Sequence, residues 1–294
     1  MVTFYRRLPR FDYVKPKAME EVLEFLAEAP SGRFKVYAGG TDVIPKLKAR
    51  LIKVPEVLVD LKGIPGLDAI DYDEDKGLKI GAVVSIFSVA HSSLIREKYP
   101  ILSQAAGSIA STQVQNRGTI VGNICSAVPS ADSAPALLCL GAKVVCVKKG
   151  GERELELDRF FKGPGQTLLE PGEMVREIQI PPMPAGSAGV YNKLSPRSRM
   201  DLAVVGVAAV AGGENGTFGD VRIGLGAVAP TPMRAPKAEA VLRGEKVSDE
   251  AIMQAARSAS EESRPIDDHR GSAEYRRMMV EVLATRVLRQ ALSK

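Results

Sequence analysis

Met19, Val22, Leu23 and Leu26 recur at helical spacing and predict an amphipathic helix over residues 17–29, stopped by Pro30 and Gly32. Residues 34–38 read as a short strand running into Gly39-Gly40. A second helix is expected over 42–48 despite Pro45, and a strand over 57–60 returns to the same small sheet. Further along, the pattern predicts a strand at 78–81, helices at 85–92 and 101–111, a helix at 134–140 stopped by Gly141, and strands at 143–147 and 173–180. Pro181-Pro-Met-Pro184, extended by Ala185-Gly-Ser-Ala-Gly189, reads as a linker. Beyond it, strands are expected at 202–211 and 221–228, with Asn215-Gly216 between them as a hairpin signal. Ser248-Asp-Glu opens one closing helix with a capping residue and an acidic first turn. The last helix carries Tyr275, Met278, Met279, Val282 and Leu283 on one face, its expected apolar side.

Two stretches break this pattern with small and polar residues. The first is Val36-Tyr-Ala-Gly-Gly-Thr-Asp-Val43. The second runs from Asn116 to Asp132 and holds Gly118, Thr119, Gly122, Asn123, Ser126 and Ser130. Glycines allow positive φ or close approach of backbone to a ligand, and successive N–H groups in such turns form anion-binding concavities. A helical signal follows each loop, which adds a favourable site for phosphate. Two such loops suggest the two sides of a diphosphate-bearing ligand. Each alone also reads as a tight turn between a strand and a helix.

Composition excludes several alternatives. At 294 residues the chain is long enough for two domains, and 45% hydrophobic residues allow a substantial core. Its net charge of +5 is spread along the chain, and tryptophan is absent, so no aromatic platform for nucleic acid is expected. Cys125, Cys139 and Cys146 form no paired spacing, which argues against a disulfide framework, an iron–sulfur centre or a metal site. His91 and His269 lack ligand spacing and read as surface or capping residues. No apolar run reaches the length of a membrane span, and no signal-peptide core is evident, so a cytoplasmic location is expected. Gly224-x-Gly226-x-x-Ala229 approaches a dinucleotide fingerprint, but Pro230-Thr-Pro232 stands where its helix should start. With no acid–base or metal machinery legible, the chemistry is assigned to a cofactor and no catalytic residue is named.

The two loops, read as Ala38-Gly-Gly-Thr-Asp42 and Asn116-Arg-Gly-Thr-Ile-Val-Gly-Asn-Ile124…Pro129-Ser-Ala-Asp132, resemble those of the FAD-binding subunits of the molybdenum hydroxylases. Gly163-Pro-Gly165, Gly224-Leu-Gly-Ala-Val-Ala-Pro-Thr-Pro-Met-Arg234 and Arg270-Gly-Ser-Ala-Glu-Tyr-Arg276 are similar to motifs of bacterial xanthine dehydrogenase FAD subunits. The resemblance implies an α+β protein. A two-part α/β FAD-binding domain of the vanillyl-alcohol-oxidase type would occupy 1–180, with subdomains at 1–60 and 61–180. A C-terminal antiparallel sheet with helices would occupy 186–294. FAD would be held non-covalently by Val36, Tyr37, Ala38, Gly39, Gly40, Thr41, Asp42 and Val43, with Thr119, Gly122 and Asn123 continuing the cradle. Asp132 would hold the adenosine or ribityl part, with N-cap of the next helix as its plain alternative. Val175 would lie at the adenine end, and Lys193, in Lys193…Arg197…Asp201-Leu-Ala203, near the flavin ring.

The resemblance also implies separate partners: a large subunit with the molybdenum cofactor, a small one with [2Fe-2S] clusters, and NAD+ as acceptor. A stand-alone flavin reductase or oxidase, and a scaffold without flavin, are the other readings. Val121 stands where the family has the first glycine of a pair. A β-branched residue resists positive φ, so either that position needs none or the loop is shifted.

Overall fold

The computed structural model describes residues 7–28, 32–197 and 200–293. The chain builds three main sheets in sequence order. The first has three parallel strands, Asp12–Val14, Val57–Asp60 and Phe34–Tyr37 in that spatial order. Val57-Leu-Val fills the central strand because both of its faces are covered; Leu58 and Val59 are buried. Helix Met19–Ala27 provides the crossover that parallel pairing requires. It begins two residues later than the periodicity suggests and ends at Ala27, two residues earlier; of the expected stop residues, Pro30 lies outside the described residues. Helix Val43–Ala49 accepts Pro45 because the first turn has no need of its N–H.

The second sheet is antiparallel, in the order Ile70–Asp73, Gly77–Gly81, Met174–Ile180, Lys143–Lys148, Gly151–Glu156. Between Gly81 and Lys143 the chain leaves this sheet and forms a run of short helices, including Ile86–His91, Pro100–Gly107, Ile120–Cys125 and Ser133–Cys139. The strands Ile70–Asp73 and Gly151–Glu156 escaped the sequence reading. They lie at the sheet's two edges and alternate with exposed acidic residues.

The third sheet orders Ser187–Leu194, Val205–Glu214, Arg222–Gly226 and Met233–Arg234 antiparallel, with Thr217–Phe218 closing a hairpin on the long strand. Asn215 and Gly216 take φ of 54° and 76°, the turn their sequence predicts. The expected linker is shorter than its composition suggests, because Ser187, Ala188 and Gly189 already pair with residues 210–212.

Strand Val205–Glu214 divides two cores by its alternation. Val205, Val207, Ala209 and Ala211 pack with helices Pro236–Leu242, Asp249–Glu262 and Ala273–Leu292. Ala208 and Val210 face the core of the preceding residues. On that side the third sheet lies against helix Ser133–Cys139, and Gly224 permits the approach: a Cβ there would overlap the Pro135 carbonyl. At Gly226 a Cβ would stand 2.8 Å from Pro135 Cγ. These two glycines of the near-fingerprint therefore serve helix–sheet packing.

The last helix buries a face rotated from the one expected, sharing Leu283 with it. Val280, Leu283, Ala284, Val287, Leu288 and Ala291 are inside, whereas Tyr275 and Met278 are 39% and 54% exposed. The reason is Arg276, which is 3% exposed and takes a core-facing position by bonding buried carbonyls. Among the described residues no helix is long and apolar enough to cross a membrane.

Candidate functional site

Strand Phe34–Tyr37 ends in a turn whose backbone is poor in internal partners. Ile44 N–H donates to Gly40 O at 3.0 Å, but among the described residues the N–H groups of residues 39–43 find no acceptor within the chain. Gly40 takes φ of 75°, and a Cβ on it would overlap the Tyr37 ring. That ring supports the turn from beneath and carries Lys62 Nζ 4.0 Å from its centroid. Lys62 also donates to Ala38 O at 2.7 Å and to Asp60 Oδ1 at 2.8 Å, so its charge fixes the loop from behind.

The second stretch is more helical than its composition suggests. Thr119 caps helix Ile120–Cys125, its hydroxyl accepting from Gly122 N–H at 2.9 Å. Val121 is thus helical and 4% exposed, and needs no positive φ. Asn123 Oδ1 accepts from Ser133 Oγ at 2.6 Å, which leaves its amide nitrogen without an acceptor among the described residues. The two loops touch. A Cβ on Gly39 would overlap the Arg117 carbonyl oxygen and stand 2.7 Å from Gly118 Cα. Ser126 Oγ donates to Asp42 Oδ2 at 2.7 Å.

Asp132 occupies the N-cap position of helix Ser133–Cys139, yet its side chain makes no cap bond. It accepts from Tyr191 OH at 2.8 Å and from Lys193 Nζ at 2.8 Å. Lys193 donates again to Ser108 O at 3.0 Å, and Tyr191 N–H donates to Gln104 Oε1 at 3.0 Å. Burial raises the Asp132 carboxyl above its ordinary range, with Lys193 and Tyr191 pulling only partly against it. The Tyr191 phenol is pushed well above its usual value, by burial first and then by the Asp132 charge. This cluster ties the first strand of the third sheet to the second loop.

Between the loops lies a cleft of about 650 Å³. Val36, Ala38, Gly39, Gly40, Thr41, Asp42 and Val43 line it, as do Thr119, Gly122, Asn123, Asp132 and Val175. Tyr37 and Lys193, also named from sequence, stand behind that lining, Tyr37 under Gly40 and Lys193 behind Asp132. The sequence reading missed the apolar lining of Ile86, Ile109, Ala110 and Val114, because nothing distinguishes these from ordinary core. It also missed Met200 and Leu202, from the turn between the first two strands of the third sheet. Ser126 and Ser130 lie in the polar stretch that drew attention, and both line the cleft.

The cleft's chemistry is that of a binding site. Cys125 lines it, but burial pushes its thiol up to about 12, so it stays protonated. His91 is placed on its own helix, stacked on Phe87 with Nδ1 3.0 Å from Phe87 O. A row of free backbone donors, a free amide and apolar walls on either side fit a long ligand with an anionic middle, as FAD is.

Residues 9–183 match the family model described as the FAD binding domain in molybdopterin dehydrogenase. Residues 190–291 match the CO dehydrogenase flavoprotein C-terminal domain. The carbon monoxide dehydrogenase medium chain of Hydrogenophaga pseudoflava is 34% identical over 97% of this chain and 98% of its own. The xanthine dehydrogenase FAD-binding subunit of Escherichia coli O157:H7 is 30% identical over 96% of each. Among solved structures, carbon monoxide dehydrogenase from Hydrogenophaga pseudoflava lacking the Mo-pyranopterin moiety superposes with a TM-score of 0.92 at 36% identity, covering 97% of this chain and 98% of that one. The chain belongs to the FAD-binding medium subunits of the molybdenum hydroxylases, a family of oxidoreductase flavoproteins.

Proposed function

We propose that this chain is the electron outlet of a multi-subunit molybdenum hydroxylase, fed by [2Fe-2S] clusters on a small partner and ultimately by a molybdenum centre on a large one. FAD held there would supply the redox chemistry between the clusters and an acceptor. The chain's residues hold and shield it. The free N–H groups of residues 39–43 receive the diphosphate, Asn123 donates its amide, and Ile86, Ile109 and Val114 exclude water from an apolar part of the cleft. Asp132 and Val175, which line the cleft, would meet the cofactor there, whereas Tyr37 would act through Gly40 and Lys193 through Asp132. The observation that carries this reading is the row of unpartnered backbone donors along a cleft walled by both loops.

NAD+ is the acceptor we propose, on the similarity to xanthine dehydrogenase FAD subunits. Lys193 adds little to that part of the reading, because Asp132 neutralises it. The division at 1–180 and 186–294, and a cytoplasmic complex, belong to the same proposal. The test is to mix the purified complex with NADH without oxygen. Bleaching of the flavin absorbance supports NAD+. A flavin that dithionite reduces and NADH does not would overturn that acceptor while leaving the cofactor in place.

A further inference from the structure

Two segments of the cleft's rim are held from the last helix. The first is the turn at 126–132, whose Ser130 and Asp132 line the cleft. Its Pro129 carbonyl accepts from Ala227 N–H at 2.7 Å. Ala227 has φ of 64°, a left-handed conformation that alanine adopts rarely, so something must hold it there. The second segment is the turn leading to strand Val205–Glu214, whose Met200, Asp201 and Leu202 line the cleft and which ends at Val204.

One side chain bonds both Ala227, which anchors the first segment, and Val204, which ends the second. Arg276 Nη1 donates to Ala227 O at 2.8 Å and to Val204 O at 3.2 Å. Its Nη2 donates to Asp268 Oδ1 at 2.6 Å, and Asp268 is itself fixed by Arg270, whose N–H donates at 2.8 Å and whose guanidinium lies 3.1 Å away. Arg276 is 3% exposed and does not line the cleft. Its Nε is buried without a partner among the described residues, so the guanidinium keeps one donor unsatisfied while both carbonyls are held.

We infer that Arg276 is a positioning residue for the FAD cleft, one guanidinium clamping the carbonyls that set both rim segments. This rests on the cleft being the FAD site. It accounts for two sequence motifs that no cofactor contact explains: Arg270-Gly-Ser-Ala-Glu-Tyr-Arg276 supplies the clamp, and Ala227-Val-Ala-Pro receives it. Charge alone does not suffice, because holding both carbonyls through Nη1 and the Asp268 carboxylate through Nη2 needs the planar fork of a guanidinium. Arg276→Lys should therefore recover only part of the function lost in Arg276→Met.

The test measures FAD affinity of the flavin-stripped full chain together with amide hydrogen exchange of residues 126–132 and 200–204. The expected result for Arg276→Met is a loss of at least tenfold in FAD affinity at a temperature where circular dichroism shows it folded. Exchange in both segments should be faster in the FAD-loaded protein, with Arg276→Lys intermediate. A merely structural arginine would lower the melting temperature and leave affinity and exchange in both segments unchanged; that result overturns the inference. Should Arg276→Met fail to fold, Asp268→Asn decides, since it loosens Nη2 without emptying the core. It should weaken FAD binding and speed exchange in the same two segments, and parental values for both overturn the inference. A parent chain that binds no FAD would instead overturn the cofactor site.

Discussion

The Ser126 hydroxyl donates to the Asp42 carboxylate at 2.7 Å, joining two cofactor loops that lie 84 residues apart in sequence. The contact sets the distance across the cleft before any ligand arrives. Gly39 makes it possible, since any side chain there would push against the Arg117 carbonyl.

Gly39→Ala should therefore separate the loops. Overpacking against rigid backbone costs about 1–3 kcal/mol, and FAD retention should fall with it. Gly107→Ala is the control, because nothing lies within 4 Å of a Cβ at that position. Thermal denaturation and flavin content after gel filtration check both variants. Equal behaviour of the two would show that the loop contact is unimportant.

Asn123→Ala removes the amide that Ser133 orients toward the cleft. It should weaken FAD binding by about 1–3 kcal/mol, read as a faster loss of flavin on dilution. Parental retention would place the cofactor away from Asn123.

Asp132→Ala leaves Lys193 buried without its counter-charge and Tyr191 without its acceptor. Breaking such a pair costs about 3–5 kcal/mol, and both Asp132→Ala and Asp132→Asn remove the charge; Asp132→Ala should unfold at the lower urea concentration of the two, because Asp132→Asn keeps an acceptor for Tyr191. A loss of stability no larger in Asp132→Ala than in Asp132→Asn would mean that the hydrogen bonds accepted by this side chain are not what binds the third sheet to the second loop.

Asp60 gives a pH-dependent reading of the first loop. Burial acts to raise its carboxyl, but hydrogen bonds from Lys62 and Tyr13 outweigh burial and hold it below the ordinary range. A depressed carboxyl contributes stability above its unfolded value, about 4, and loses it as pH falls through the folded value. Asp60→Asn should flatten the acid limb of a stability–pH profile below about pH 4. An acid limb as steep as that of the parent would assign the effect to other carboxylates.

Local chemistry was legible from sequence wherever it was unbroken. The loop at Gly39-Gly40, the hairpin at Asn215-Gly216 and the Ser248 cap each rest on residues close together in the chain, and each stands where the pattern placed it. Features set by distant partners were not legible. Asp132 has a plain alternative as a helix cap until Lys193, 61 residues away, is seen to hold its side chain. Arg276 looks like a surface residue of the last helix, so the apolar face was drawn through Tyr275 and Met278 instead. Val121 reads as an obstacle in the loop that the sequence predicts there, whereas the Thr119 cap starts a helix in which a β-branched residue is ordinary.

The most direct test of the central claim is the flavin content of the purified protein. The expected result is a yellow protein whose FAD is released completely by acid precipitation, and which rebinds added FAD after stripping, less tightly when Gly39 carries a side chain. A purified parent chain with no flavin absorbance that takes up no added FAD, alone or in its complex, would contradict it.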